Sequence, residues 1–142
     1  VDELKRKLEK LNLYNFLIKD EMPNSDLPRL LNKCYAGIIC LDPLHQTHNI
    51  PGKFLEYLRS GLPVLGIVNS NNDLNSIISK NKLGNLINDL NVYSLEKALQ
   101  YFDLSESEYS DIQRRCKSFF KKNYTTDKVT QSVVKRLNSV ID

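Results

Sequence analysis

The chain has 142 residues, and its 20 Lys and Arg against 17 Asp and Glu give a net charge of +3 with histidine neutral. This length suits one globular domain with a single hydrophobic core and is too short for two separate domains. The mean hydropathy is −0.40, and no apolar run approaches the ~20 residues that a transmembrane helix needs, so we expect a cytoplasmic protein.

Apolar residues recur at helical spacing in some segments and form short continuous runs in others. The first pattern predicts helices and the second predicts buried strands. In chain order, the predicted elements are helix 2–11, strand 14–18, helix 26–32, strand 37–41, helix 51–60, strand 62–68, helix 73–80, strand 84–87 and helices 94–102, 105–122 and 126–141. This alternation indicates an α/β fold, a Rossmann-like parallel sheet with helices on both faces.

Three helix starts carry sequence signals. Ser25 or Asp26 is placed to cap the helix at 26–32, and Pro51 stands in the first turn of the helix that follows the second strand. Ser105 and Glu108 have the spacing of a capping box, which predicts the start of the long basic helix.

The three cysteines, Cys34, Cys40 and Cys116, form no C-x-x-C pair and cannot all pair with one another. A disulfide scaffold or a zinc ribbon is therefore not expected. We interpret all three as small buried apolar residues.

The loop 42–53 is the segment where ligand chemistry is most expected. Ligands of open α/β sheets bind beyond the carboxyl ends of the strands, and this loop follows the carboxyl end of the predicted strand 37–41. It ends in Pro51, Gly52 and Lys53, where first-turn amides lack intrahelical acceptors, glycine leaves room and lysine adds positive charge. These features predict a phosphate site.

Glu56 lies three residues after Lys53, on the same face of the helix. A carboxylate there repels a phosphate unless it accepts hydrogen bonds from a neighbouring diol such as a ribose, in which case the pair describes a nucleotide site. The alternative from spacing alone is a solvated surface pair worth about 0–1 kcal/mol.

The segment 49–64, NIPGKFLEYLRSGLPV, resembles the donor-binding segment of retaining GT-B glycosyltransferases, often called family 4. The family pattern is Pro-x-Lys-x-x-Glu-Tyr-x-x-x-Gly-x-Pro-Val, and the flanks 26–39 and 77–84 are also similar. The likeness spans roughly residues 11–141. It implies that residues 1–142 are one partial nucleotide-sugar-binding domain, the C-terminal half of a GT-B fold.

By this resemblance, Glu56 matches the glutamate that holds the ribose hydroxyls of the nucleotide sugar. Gly52 and Lys53 match the helix end that meets the diphosphate. Where the family often has a second glutamate, which touches the donor sugar, this chain has His48. His48 or Asn49 is then a candidate for hydrogen bonding to the hexose, and an exposed histidine without a role is the alternative.

The resemblance also places the loop 18–20, with Lys19, where such enzymes hold the base. The chain lacks the family's first strand–helix–strand unit, its two cations and its acceptor domain, and it begins with Val1 rather than methionine, so we expect a piece of a longer protein. The missing strands belong between 14–18 and 37–41. We expect these two segments either to close up directly or to leave an edge that another molecule fills.

Two weaker signals concern other ligands. His45 and His48 are three residues apart without an acidic or sulfur partner near in sequence, and no D-x-D is present, so no metal site is expected. A basic stretch lies on the long helix, and it comprises Arg114, Arg115, Lys117, Lys121 and Lys122 with Phe119 and Phe120. One interpretation is a solvent-exposed helix face with aromatic residues packed on the opposite side. The other is a peripheral contact with anionic lipid at the inner membrane. Nucleic-acid binding lacks any motif.

The sequence thus predicts the donor-binding domain of a glycosyltransferase that moves a sugar from a nucleotide diphosphate to an acceptor in bacterial surface polysaccharide synthesis. The resemblance implies retention of configuration and no metal or cofactor. Without the acceptor domain the chain alone is expected to be inactive, with no catalytic residue of its own. Two alternatives are a non-catalytic α/β interaction module and a nucleotide-sugar epimerase of the same architecture.

Overall fold

The computed structural model describes residues 1–19, 21–42 and 50–141. Its centre is a sheet of β1 (Gly37–Cys40), β2 (Val64–Ile67) and β3 (Gly84–Ile87), in that order. The helices of these residues are α1 (Asp2–Lys10), α2 (Leu27–Leu31), α3 (Gly52–Ser60), α4 (Asp73–Asn81), α5 (Val92–Gln100), α6 (Glu106–Asn123) and α7 (Thr126–Ile141). The predicted α/β architecture is confirmed.

The three strands are parallel, with Gly37 opposite Val64 and Val64 opposite Gly84 at their starts. The chain passes from β1 through α3 to β2, and from β2 through α4 to β3. The carboxyl ends of the strands therefore meet at one edge of the sheet, from which loops lead into α3 and α4. We call this edge the carboxyl edge and the opposite one the amino edge.

The main hydrophobic core lies between one face of the sheet and helices α3, α4 and α6. Its buried residues are Ile39, Phe54, Leu58, Val64, Val68, Leu74, Ile78, Leu83, Ile112 and Cys116. Successive strand residues point to opposite faces, so Leu65 of β2 packs on the other side, with Ile87 and with Ala98 of α5. The prediction of helices on both faces is confirmed.

Helix α3 is anchored at its end by a glycine and along its length by a tyrosine. Gly61 has a left-handed φ of 78°, and Leu62 N–H donates to Tyr57 O at 2.8 Å, which closes the last turn. The ring of Tyr57 occupies the space beside Gly37, where an added Cβ would lie 2.3 Å from the ring atom Cδ2. The Tyr57 hydroxyl donates to Ile38 O at 3.3 Å. The glycine thus lets α3 pack closely on β1.

Helix α6 crosses the amino edge of the sheet. Tyr109 donates its hydroxyl to Tyr35 O, just before β1, and their rings stack at 4.4 Å. Further along, the side chain of Lys117 lies against Gly61, before β2, and Arg115 Nε donates to Lys82 O, before β3, at 3.0 Å. One helix therefore contacts the chain ahead of all three strands and closes this edge.

The predicted strand at 14–18 is wrong, because these residues form no strand in the structure. The segment has aromatic and β-branched residues, but a stable strand also needs a partner strand, and none of the described strands pairs with this segment. Direct closure of 14–18 onto β1 is therefore wrong as well. Filling of the free β1 edge by another molecule stays a prediction.

The outer face of β1 is exposed. Ile38 on that face is 57% exposed, so the expectation that β1 is covered on both sides is wrong.

The capping box at Ser105 and Glu108 is confirmed. At α2 the N-cap is Asp26, but no side chain caps the helix. Pro51 is the N-cap of α3 rather than its first residue, because its extended ψ of 140° is not helical. The interpretation of the three cysteines holds only for Cys116, since Cys34 is half-buried and Cys40 is exposed.

Candidate functional site

The start of α3 is an open helix N-terminus at the carboxyl edge. The Phe54 N–H already donates to Pro51 O at 2.9 Å, which leaves Gly52 and Lys53 as the first-turn amides without an intrahelical acceptor. Gly52 and Lys53 are both exposed, and a Cβ on Gly52 would meet none of the described residues within 4 Å. The helix end therefore has room for a group that approaches its amides closely, as the sequence analysis predicts.

Glu56 lies in the second turn of α3, and its side chain is 35% exposed. Its Oε2 is 2.7 Å from Nη2 of Arg59, one turn further along the helix. The same oxygen is shielded from solvent and accepts no aligned hydrogen bond from the described residues. The carboxylate is thus held at the surface by an ion pair, outside the hydrophobic core, with unused capacity to accept hydrogen bonds.

A cleft of about 420 Å³ opens beside this carboxylate. Its lining consists of Glu56 and Arg59 from α3 and of Asn24, Ser25 and Leu27 from the start of α2. α2 leads into β1 and α3 leaves it, so both helices start on the side of the carboxyl edge. The cleft lies between the start of α2 and the second turn of α3, and it combines a carboxylate, a guanidinium, an amide, a hydroxyl and one apolar side chain.

Three residues predicted to contact the ligand are not among those that line the described site. His48 and Asn49, and with them His45, lie outside the described residues. Lys19 is exposed, and it does not line the cleft beside Glu56. Contacts of these residues with a sugar or a base stay predictions.

The structure adds residues that the sequence analysis missed. Arg59 stands three residues after Glu56, and this spacing is the sequence signal for an ion pair on one face of a helix. Ser25 was considered only as a helix cap, and Asn24 carried no signal, because their nearness to α3 depends on the packing of α2.

Asparagine side chains join the loops that leave β2 and β3 at the same edge. Asn88 Nδ2 donates to Val68 O at 3.0 Å and to Asn75 Oδ1 at 2.8 Å. Asn75 Nδ2 in turn donates to Asn69 O at 2.7 Å and to Asn72 O at 3.0 Å. These bonds tie the loop after β2 to α4 and to the end of β3, which fixes this part of the carboxyl edge.

Metal and membrane signals are absent from the parts of the chain that the structure describes. Across 1–19, 21–42 and 50–141, no three His, Cys, Asp or Glu residues stand close enough together to hold a metal ion. The described helices also include none with the length and apolar character to cross a membrane.

Comparison with known families identifies the region that contains this site. Residues 42–136 match the model for the C-terminal domain of glucosyltransferase 3-like proteins. The match runs from the loop after β1 to α7, so it includes α3 and the carboxyl ends of β2 and β3. No curated protein and no solved structure matches the chain.

Proposed function

Because the chain belongs to the family of glucosyltransferase 3-like C-terminal domains, we propose that it binds the nucleotide-diphosphate sugar donor of a glycosyltransferase. In this proposal the enzyme is a retaining transferase of the GT-B type, in which the acceptor is held by a separate domain. Its product belongs to a bacterial surface polysaccharide. The parallel sheet, with a polar cleft between α2 and α3, supports the donor role.

The diphosphate binds at the start of α3. The amides of Gly52 and Lys53 donate to its oxygens, and the partial positive charge of the helix end adds about 0.3–1 kcal/mol at an exposed site. Lys53 is exposed in the same turn and contributes a full positive charge. Since these groups neutralise the diphosphate in part, the proposal requires no metal ion.

The ribose binds in the cleft, where the Glu56 carboxylate accepts hydrogen bonds from its two hydroxyls. The observation that carries the proposal is the position of this carboxylate, which lines a polar cleft rather than the core. A hydrogen bond to a charged group contributes about 1.5–3 kcal/mol, so the ribose contact is a large part of donor affinity.

The remaining predicted contacts are with the hexose and the base of the donor. His48 or Asn49 contacts the hexose, and Lys19 lies near the base. Transfer requires that donor and acceptor be held together, so this chain without the acceptor domain binds donor but does not catalyse transfer.

Calorimetric titration of the chain with UDP, GDP and their sugars tests the proposal. We expect one nucleotide to bind, and Glu56→Ala to weaken its binding roughly 10–100-fold. Glu96→Ala is the matched control, because Glu96 is an exposed glutamate on α5. Equal affinity in the Glu56 and Glu96 variants would contradict the ribose assignment. Absence of binding by any nucleotide would favour the non-catalytic interaction module.

A further inference from the structure

The C-terminal part of this chain has a net positive charge, whereas the rest has a net negative charge. Residues 112–142 contain eight Lys and Arg against two Asp, whereas residues 1–111 contain 12 basic and 15 acidic side chains. The molecule is therefore strongly polarised, although its net charge is only +3.

Four cations of α6 form one outward surface. Arg114, Lys117, Lys121 and Lys122 line the same open hollow, of about 620 Å³, and all four are exposed. We call these four residues the α6 basic face. Arg114 is paired with Asp111 at 2.6 Å, but the three lysines form no ion pair with any carboxylate of the described residues. The face thus has a positive charge without a matching negative partner on the described part of the chain.

The α6 basic face and the candidate donor site share no lining residue. The hollow at the face is lined by residues of α6, whereas the cleft beside Glu56 is lined by residues of α3 and of the start of α2. Binding of a partner to the α6 basic face can therefore be tested separately from donor binding in the cleft.

We propose that the α6 basic face docks the protein on the surface of an anionic phospholipid bilayer. Exposed lysines attract a plane of negative headgroups without any matched geometry, and each residue near the surface adds to the attraction. The contact is purely electrostatic, because Phe119 and Phe120 on the underside of α6 pack against the hydrophobic core.

Other polyanions fit this face less well. Single-stranded nucleic acid needs exposed aromatic rings for its bases to stack on, whereas the aromatic residues of α6 next to the cations are turned inward. A folded protein partner needs an apolar centre to its interface, and the hollow is lined by the four cations together with Ser110, Gln113 and Ser118. A lipid surface needs neither feature.

Sedimentation of the full chain with lipid vesicles tests the proposal. We expect binding to vesicles that contain phosphatidylglycerol, little binding to vesicles of phosphatidylcholine alone, and release at about 0.5 M salt, where charges are screened within a few ångströms. Lys121→Gln with Lys122→Gln should lower the partition coefficient about fivefold for each lysine and about 25-fold together.

The matched control is Lys33→Gln with Lys97→Gln, which removes the same charge from exposed lysines elsewhere. Circular dichroism of both variants confirms the fold, and salt release of the unmodified chain tests the proposal without any substitution. Equal losses in the two variants, equal binding to both vesicle types, or binding that resists salt would overturn the proposal. So would tighter binding to polyuridylate or polyglutamate than to the anionic vesicles.

Discussion

Arg59 and Glu56 form an ion pair on the surface of α3, with Nη2 of the arginine 2.7 Å from Oε2 of the glutamate. The pair lines the cleft, and Glu56 is one helical turn from the first-turn amides at Gly52 and Lys53. A bare carboxylate at this distance would repel a diphosphate bound to those amides. Arg59 supplies the opposite charge, so the pair offers hydrogen-bond acceptors with little net charge.

Arg59→Met should therefore weaken binding of a nucleoside diphosphate more than binding of the nucleoside alone. We expect a loss of roughly fivefold for the diphosphate, as for an exposed charge interaction of about 1 kcal/mol. Calorimetric titration of both ligands measures the difference. Adding Glu56→Gln to Arg59→Met should remove the difference between the two ligands, because the repelling charge is gone while the ribose contact is weakened equally for both. A loss that is the same for nucleoside and diphosphate would contradict this account.

Gly37→Ala should destabilise the fold by about 1–3 kcal/mol, as expected for overpacking. The new Cβ would lie 2.3 Å from the Tyr57 ring, so α3 must move away from β1 or the ring must turn. Urea unfolding measures the loss. Gly52→Ala is the matched control, since no atom of the described residues lies within 4 Å of its Cβ position. Equal stability of the two variants would show that the close approach of Tyr57 to β1 is not required.

The pH dependence of stability should reveal the buried thiol of Cys116. Burial raises the pKa of Cys116 to about 12, so the folded chain keeps a proton that the unfolded chain releases near pH 9. Stability is then fully present below that pH and falls as pH rises toward 12, by at most about 1.4 kcal/mol per pH unit.

Urea unfolding between pH 8 and 10 of the chain and of Cys116→Ala measures this slope. The variant is less stable throughout but should lose less stability per pH unit. The range stops at pH 10, near the usual pKa of tyrosine. Burial also raises the pKa of Tyr57 and of Tyr124, so these two groups would add to the loss of stability at higher pH. Parallel curves for the two proteins would contradict a protonated Cys116.

The sequence predicted those features that depend on local chemistry. The capping box of α6 and the three strands near 37–41, 62–68 and 84–87 follow from residue spacing and composition, and the structure has them. Features that depend on a distant partner were not predictable. The segment 14–18 has strand composition but does not pair with any described strand, and Asn24 reaches the cleft only because α2 packs beside α3.

Asn88→Ala should loosen the rim of the sheet at the carboxyl edge. The change removes the amide bonds to Val68 O and Asn75 Oδ1 and leaves the nearly buried Val68 carbonyl without that donor. We expect a loss of about 1–3 kcal/mol in the free energy of unfolding. We also expect amide hydrogen exchange to become faster in the loop 68–72, and to change less in β2. Asn71→Ala, at an exposed asparagine of the same loop, is the control. If exchange in 68–72 is unchanged by Asn88→Ala, the loop is held by its bonds to α4 alone, and Asn88 does not fix the rim.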